Sequence, residues 1–263
     1  MSEGRSRLRE LVEDGGVHVL DGAMGTVLYQ HGVFVNKCFD ELSLSNPEVV
    51  LSVHAEYVRA GAELIETNTF GANPVKLSAF ALEDRTEEIN EVAAKLAIQS
   101  SRGRASVLGA IGPLGIRIEP WGPTSVNEAT KMFERQATGL AEGGVDGFML
   151  ETFADLDELL QAVRAVRNVA GSAPVFAQMS FGEEGATAYG TTIEVATHSL
   201  DQAGVDVIGL NCSVGPSAML IGVERMVATT DRPVSALPNA GVPRDVRDRK
   251  IYLANPEYMG RYA

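Results

Sequence analysis

The sequence predicts an α/β fold, a (β/α)8 TIM barrel with about seven of its βα units present in this chain. Three observations carry this. Short apolar runs alternate strictly with longer stretches of helical spacing, and such alternation means a parallel sheet. Composition does not shift along the 263 residues, so 1–263 reads as one domain with no second. The turn after the first apolar run, Asp21-Gly22-Ala23-Met24-Gly25-Thr26, lacks the first glycine of the fingerprint that a doubly wound dinucleotide fold would carry there.

Leu8, Leu11 and Val12 have helical spacing and open the chain as a short amphipathic helix. Residues 17–20 make the first strand, and a loop then runs through Phe39-Asp40-Glu41-Leu42. Asn46 stands where a helix cap belongs, with Pro47 at the first helical position and Glu48 near the positive end; Gly61 stops that helix. The pattern then repeats. Residues 64–67 form a strand ending in Asn68-Thr69-Phe70-Gly71, and 83–102 a long helix. Strand 107–111 ends in Gly112-Pro113-Leu114-Gly115 and precedes helix 126–142. Strand 148–150 ends in Glu151-Thr152-Phe153 and precedes helix 155–169. Strand 175–179 ends in Ser180-Phe181-Gly182 and precedes helix 192–203. Strand 207–210 ends in Asn211-Cys212 and precedes helix 217–227; strand 234–237 ends in Pro238-Asn239-Ala240-Gly241, and a last helix begins near Pro256. A barrel short of its eighth strand is expected to leave the first and seventh strands with unpaired edges.

With 45% hydrophobic and 22% charged residues the chain has ample material for a core. A net charge of -13 argues against nucleic acid and anionic membrane as partners. Cys38 and Cys212, the two cysteines, do not make a disulfide framework and read as reduced thiols of a cytoplasmic protein. The amino terminus has no apolar core of a signal peptide, and no apolar run approaches the length of a membrane span.

Ligands of parallel α/β proteins bind at the carboxyl ends of the strands. Those ends select Asp21, Glu66, Thr67, Asn68, Glu151, Ser180, Asn211, Cys212 and Asn239. Carboxylates there suit an ammonium group, and backbone amides at glycine turns suit a carboxylate, which together describe a small zwitterion. Each of these residues also has a plainer reading. Asp21 before Gly22 is a common turn pair, and Cys212 on position alone reads more readily as a buried inert thiol, which free cysteine usually is. Glu151 directly continues an apolar strand, where a charge needs a partner or ligand.

None of the five lysines (Lys37, Lys76, Lys95, Lys131 and Lys250) falls at a strand end, which weighs against a Schiff-base lyase. The four histidines lie at a strand start, in a loop and within helices, so a histidine zinc site or a Ser-His-Asp triad has no material. Trp121 reads as a packed loop anchor, the run 244–250 as a solvated excursion, and Cys38 as a spectator.

The strand-end motifs Leu20–Thr26 (LDGAMGT), Glu66–Phe70 (ETNTF), Leu150–Phe153 (LETF) and Gly209–Cys212 (GLNC) together resemble the zinc-dependent homocysteine S-methyltransferase family, in order and over nearly the whole chain. Residues 39–42 lean toward the cobalamin-dependent methionine synthase branch. Residues 112–123 resemble bacterial proteins that fuse this barrel to a methylenetetrahydrofolate reductase domain. The resemblance implies methyl transfer to the zinc-activated thiol of homocysteine, giving methionine. It implies zinc on Cys212, with Asn239 able to approach the metal, and two further cysteines in a Gly-Gly-Cys-Cys turn that the sequence does not contain. On that ground the chain alone is expected to hold zinc weakly and to be inactive. It implies that Asp21, the backbone at Gly22 and Ala23, Glu151, Thr67, Asn68 and Asn211 hold the substrate. The donor stays open among methyl-folate, methylcobalamin, S-methylmethionine and S-adenosylmethionine. A non-catalytic barrel that binds a small amino acid is the competing reading.

Overall fold

The computed structural model describes residues 3–34, 36–241, 244–246, 249–251 and 254–263. The chain divides into two compact units, Met1–Leu150 with Glu158–Val175, and Glu151–Asp157 with Phe176–Ala263.

The first unit begins with α1 (Glu3–Glu13), which buries Leu8. Next come α2 (Met24–Gln30), α3 (Leu42–Ser45) and α4 (Pro47–Ala60), of which the sequence predicts only the last. Asn46 starts α4 ahead of Pro47 but makes no side-chain cap; it also ends α3, donating its N–H to Leu42 O. The strand β1 (Leu64–Glu66) leads to α5 (Pro74–Ser78), capped by Asn73 Oδ1, which accepts from Lys76 N at 3.0 Å. The expected long helix divides: a 3-10 turn over Glu83–Arg85 precedes α6 (Thr86–Ser101). After β2 (Ser106–Ile111), α7 (Val126–Gly143) opens with a capping box between Ser125 and Glu128. The strand β3 (Gly147–Phe153) and α8 (Leu156–Ala170) each contribute to both units. Within the first unit β1, β2 and β3 pair in parallel, in chain order. Leu108, Ile111, Phe148 and Leu150 are fully buried, as strands covered on both faces require.

The expected first strand is reduced to a single bridge, Leu20 to Leu64. The N–H of Asp21 donates to Leu64 O at 2.9 Å and that of Glu63 to Val19 O at 2.8 Å. Val17 and Val19 stand 93% and 58% exposed. With β1 its only partner among the described residues, so short a segment gains too few ladder bonds to hold its pleat. Trp121 is not a packed anchor either; it is 64% exposed.

In the second unit β4 (Val175–Met179), α9 (Ile193–Gln202), β5 (Val207–Asn211), α10 (Pro216–Val227) and β6 (Val234–Leu237) follow in alternation. Thr192 caps α9, accepting from Val195 N. The strands β4, β5 and β6 again pair in parallel, in chain order. Gly209 is required in β5 because a Cβ there would lie 2.2 Å from Ser235 Oγ. An antiparallel hairpin, β7 (Arg244–Val246) and β8 (Arg249–Ile251), and the short α11 (Pro256–Met259) follow. Of the run 244–250, residues 244–246 and 249–250 have a regular strand backbone, while the solvation expected for the side chains lies outside the described residues. The fold class is α/β, and βα units with neighbours parallel in chain order are the arrangement of an incomplete (β/α) barrel.

Candidate active site

The polar strand ends of the second unit converge on Cys212. Leu210 turns into the hydrophobic interior, and Asn211 follows it, almost fully buried. Its amide is held from both sides: Oδ1 accepts the backbone N–H of Thr152 at 2.7 Å, and Nδ2 donates to Thr152 Oγ1 at 2.7 Å. The same Nδ2 reaches Glu151 Oε2 at 3.2 Å and Cys212 Sγ at 3.6 Å. Because Oδ1 faces a backbone donor, only one orientation of the amide satisfies its partners. Ser180 Oγ donates to the carbonyl of Asn211 at 2.8 Å and its N–H to Phe153 O at 2.8 Å, so the ends of β3, β4 and β5 are tied at one level.

The backbone here is strained. Thr152, Cys212 and Ser213 have φ of 63°, 57° and 62°, the left-handed region that side-chain-bearing residues avoid. Val214 N donates to Cys212 O at 2.7 Å, closing a three-residue turn around Ser213. Each such residue costs on the order of 1–3 kcal/mol, and such costs cluster at functional sites. Burial pushes the half-buried Cys212 thiol above its ordinary value; the Thr152 hydroxyl opposes this and the Glu151 charge adds to it. Left to itself, the sulfur is a neutral thiol at pH 7.

A cavity of about 20 Å³ opens beside Cys212, walled by Phe181, Leu210, Asn211, Met219 and Gly222. It has room for roughly one water. Arg225 at its rim is engaged by Glu194 through two bonds of 2.7 and 2.8 Å. Asn239 lies on the turn beyond β6, where its N–H donates to Val214 O at 3.0 Å.

The first unit places the remaining candidates. Asp21 Oδ2 accepts the N–H of Glu66 at 2.9 Å, so the turn reading and the end of β1 are one feature. Tyr57 lies under this turn and donates its hydroxyl to Ala23 O at 2.9 Å. Burial, with the charges of Asp21 and Glu56 behind it, pushes its phenol up to about 12. Thr67 and Asn68 are buried. Thr67 Oγ1 accepts Ala110 N at 3.0 Å and pairs with Thr69 Oγ1 at 2.6 Å, while Asn68 Nδ2 donates to Phe39 O at 2.7 Å. Both side chains therefore hold backbone.

Sequence reasoning missed Thr152 and Asp40. The Asp40 carboxylate accepts Gly71 N at 2.8 Å, and a Cβ on Gly71 would lie 2.8 Å from its Oδ2; burial raises its pKa. The pairing of an acid in F-D-E-L with the glycine closing N-T-F-G was the available signal. Cys38 and Cys212 are both free, as expected. Among the described residues no group of three His, Cys, Asp or Glu could hold a metal. Cys212 with Asn239 also falls short of the three or four protein ligands zinc takes. No helix among the described residues is long and apolar enough to cross a membrane.

The homocysteine S-methyltransferase family model matches residues 18–263. Methionine synthase of Mycobacterium tuberculosis is 32% identical over 243 residues, covering 86% of this chain and 20% of that protein. Methionine synthase of Mycobacterium leprae gives the same figures. The chain thus spans 20% of the length of these curated relatives. The crystal structure of the metallated form of the homocysteine methyltransferase MmuM from Escherichia coli superposes with a TM-score of 0.78 at 22% identity, covering 89% of this chain and 87% of that one. Its apo form gives 0.71 at 20% identity. These likenesses show the fold. The chain belongs to the homocysteine S-methyltransferase family.

Proposed function

We propose that this member of the family transfers a methyl group to the thiol of homocysteine, giving methionine. The observation that carries the reading is the strained strand end at Cys212, where Glu151, Thr152 and Asn211 hold a thiol and a carboxylate together within a family whose matched region contains all four. In the reaction an S–CH3 bond forms, the donor's bond to that methyl breaks, and the thiol proton leaves to solvent.

The residues take separate parts. Glu151 offers a carboxylate to the substrate ammonium group, and Asp21, on the turn after Leu20, is assigned to the amino acid portion by the family resemblance. The backbone at Gly22 and Ala23 offers amides to the substrate carboxylate. Thr67 and Asn68, which the resemblance assigns to the substrate, act through the backbone they hold, and Asn211 orients Glu151 and Cys212. Cys212 and Asn239 are the positions the family resemblance assigns to zinc. The described residues do not by themselves make up a zinc site, and binding and orientation are the work attributed to them. The donor is one of methyl-folate, methylcobalamin, S-methylmethionine or S-adenosylmethionine, in a cytoplasmic protein.

The test is methionine formation from homocysteine with each donor, by the full gene product carrying this chain. Turnover with one donor, abolished in Cys212→Ala, is expected. Failure with all four donors overturns the reading.

A further inference from the structure

We infer that Thr152 is a positioning residue: with Asn211 it forms a reciprocal clasp that fixes where the Cys212 sulfur sits. The inference rests on the reading of Cys212 as the reactive-site thiol. Three observations lead to it. First, the two short bonds between Thr152 and Asn211 run in opposite directions, backbone N–H to Oδ1 and Nδ2–H to Oγ1, each 2.7 Å. Two bonds between the same two residues remove the freedom that one would leave. Second, since Oγ1 is occupied as an acceptor, its own hydrogen is available to Cys212 Sγ at 3.8 Å or to Glu151 Oε2 at 3.4 Å. The sulfur thus has two donors beside it, this hydroxyl and Asn211 Nδ2 at 3.6 Å. Third, Thr152 holds φ of 63°, a β-branched residue where sterics favour glycine. In that conformation its N–H and Oγ1 both engage the Asn211 amide, so the clasp offsets the strain.

The inference is tested on the free thiol of the chain as it stands, so its failure is distinguishable from failure of methyl transfer. Iodoacetamide alkylation of Cys212 is followed by peptide mass spectrometry, with Cys38 in the same molecule as the internal reference. Thr152→Val keeps the shape and the β-branch but removes the hydroxyl. It is expected to lower the Cys212-to-Cys38 rate ratio at least about threefold, because the sulfur, released from the clasp, is no longer held in one orientation beside the cavity through which the reagent reaches it. Thr152→Ser restores the hydroxyl and is expected to return the ratio to within about twofold of the parent. Should the valine variant not fold, Thr152→Ala supplies the same comparison with less strain. A ratio that stays level or rises on loss of the hydroxyl, or a serine variant as slow as valine, overturns the clasp.

Discussion

The carboxylate of Asp21 accepts the backbone N–H of Glu66 at 2.9 Å, joining a turn to a strand end 45 residues later. The bond gives Asp21 two separable roles, a structural acceptor and a negative charge. Asp21→Asn keeps an acceptor and loses the charge, whereas Asp21→Ala loses both. Urea unfolding is expected to find the asparagine variant close to the parent and the alanine variant weaker by about 1 kcal/mol. Homocysteine affinity of the full gene product, by calorimetry, falls at least about tenfold in both, the loss of one charge-assisted contact. Retained affinity in the asparagine variant would remove Asp21 from the substrate site.

Thr67 poses the same question with the opposite weighting. Its hydroxyl accepts Ala110 N and pairs with Thr69, so Thr67→Val strands a buried N–H between β1 and β2. The cost is expected to be roughly 1–3 kcal/mol. Thr67→Ser keeps stability and the KM for homocysteine alike. A serine variant of parental stability with a raised KM means that the threonine methyl touches substrate.

His54, in α4, is fully buried, and neither ring nitrogen has a protein partner among the described residues. Burial lowers its pKa to about 4 from 6.5. Above pH 6.5 both folded and unfolded forms are neutral and the histidine adds no pH dependence. Between pH 6.5 and about 4 the unfolded chain takes up a proton that the folded chain refuses, so stability falls as pH falls. The full loss is on the order of 3 kcal/mol. Urea midpoints measured from pH 8 to 4 check this, and His54→Leu should flatten the slope over that window. An unchanged slope would assign the acid sensitivity to other groups.

Gly209 leaves no room for a side chain: a Cβ there would sit 2.2 Å from Ser235 Oγ and 2.5 Å from its carbonyl oxygen. Gly209→Ala is expected to cost roughly 1–3 kcal/mol by overpacking. Adding Ser235→Ala recovers only part of it, since the carbonyl stays. Full recovery in the double variant would show that the strands part more easily than this spacing implies.

Strand ends were legible because the apolar runs are short, buried on both faces and closed by polar or glycine residues. That pattern alone located Asp21, Glu151, Asn211 and Cys212. It also overran at the start, where residues 17–20 have the composition of a strand but too few ladder bonds to form one. The helices α2, α3 and α5 escaped because each is too short to show a period.

The roles of the polar residues were less legible. Thr67 and Glu151 look equally well placed in the sequence, yet one hydroxyl is spent on backbone and the other carboxylate stands beside a thiol. Thr152 gave no sign at all, since neither a left-handed φ nor a bond to Asn211, 59 residues on, is written in local composition. By itself, then, the sequence determined the order of strands, the class of fold and which polar residues lie at or next to the strand ends, because hydrophobic periodicity is a local property. The tertiary structure alone decided which of those residues are committed to holding backbone and which are held in place around Cys212. Hydrogen-bond partners and strained dihedrals exist only once distant strand ends lie side by side.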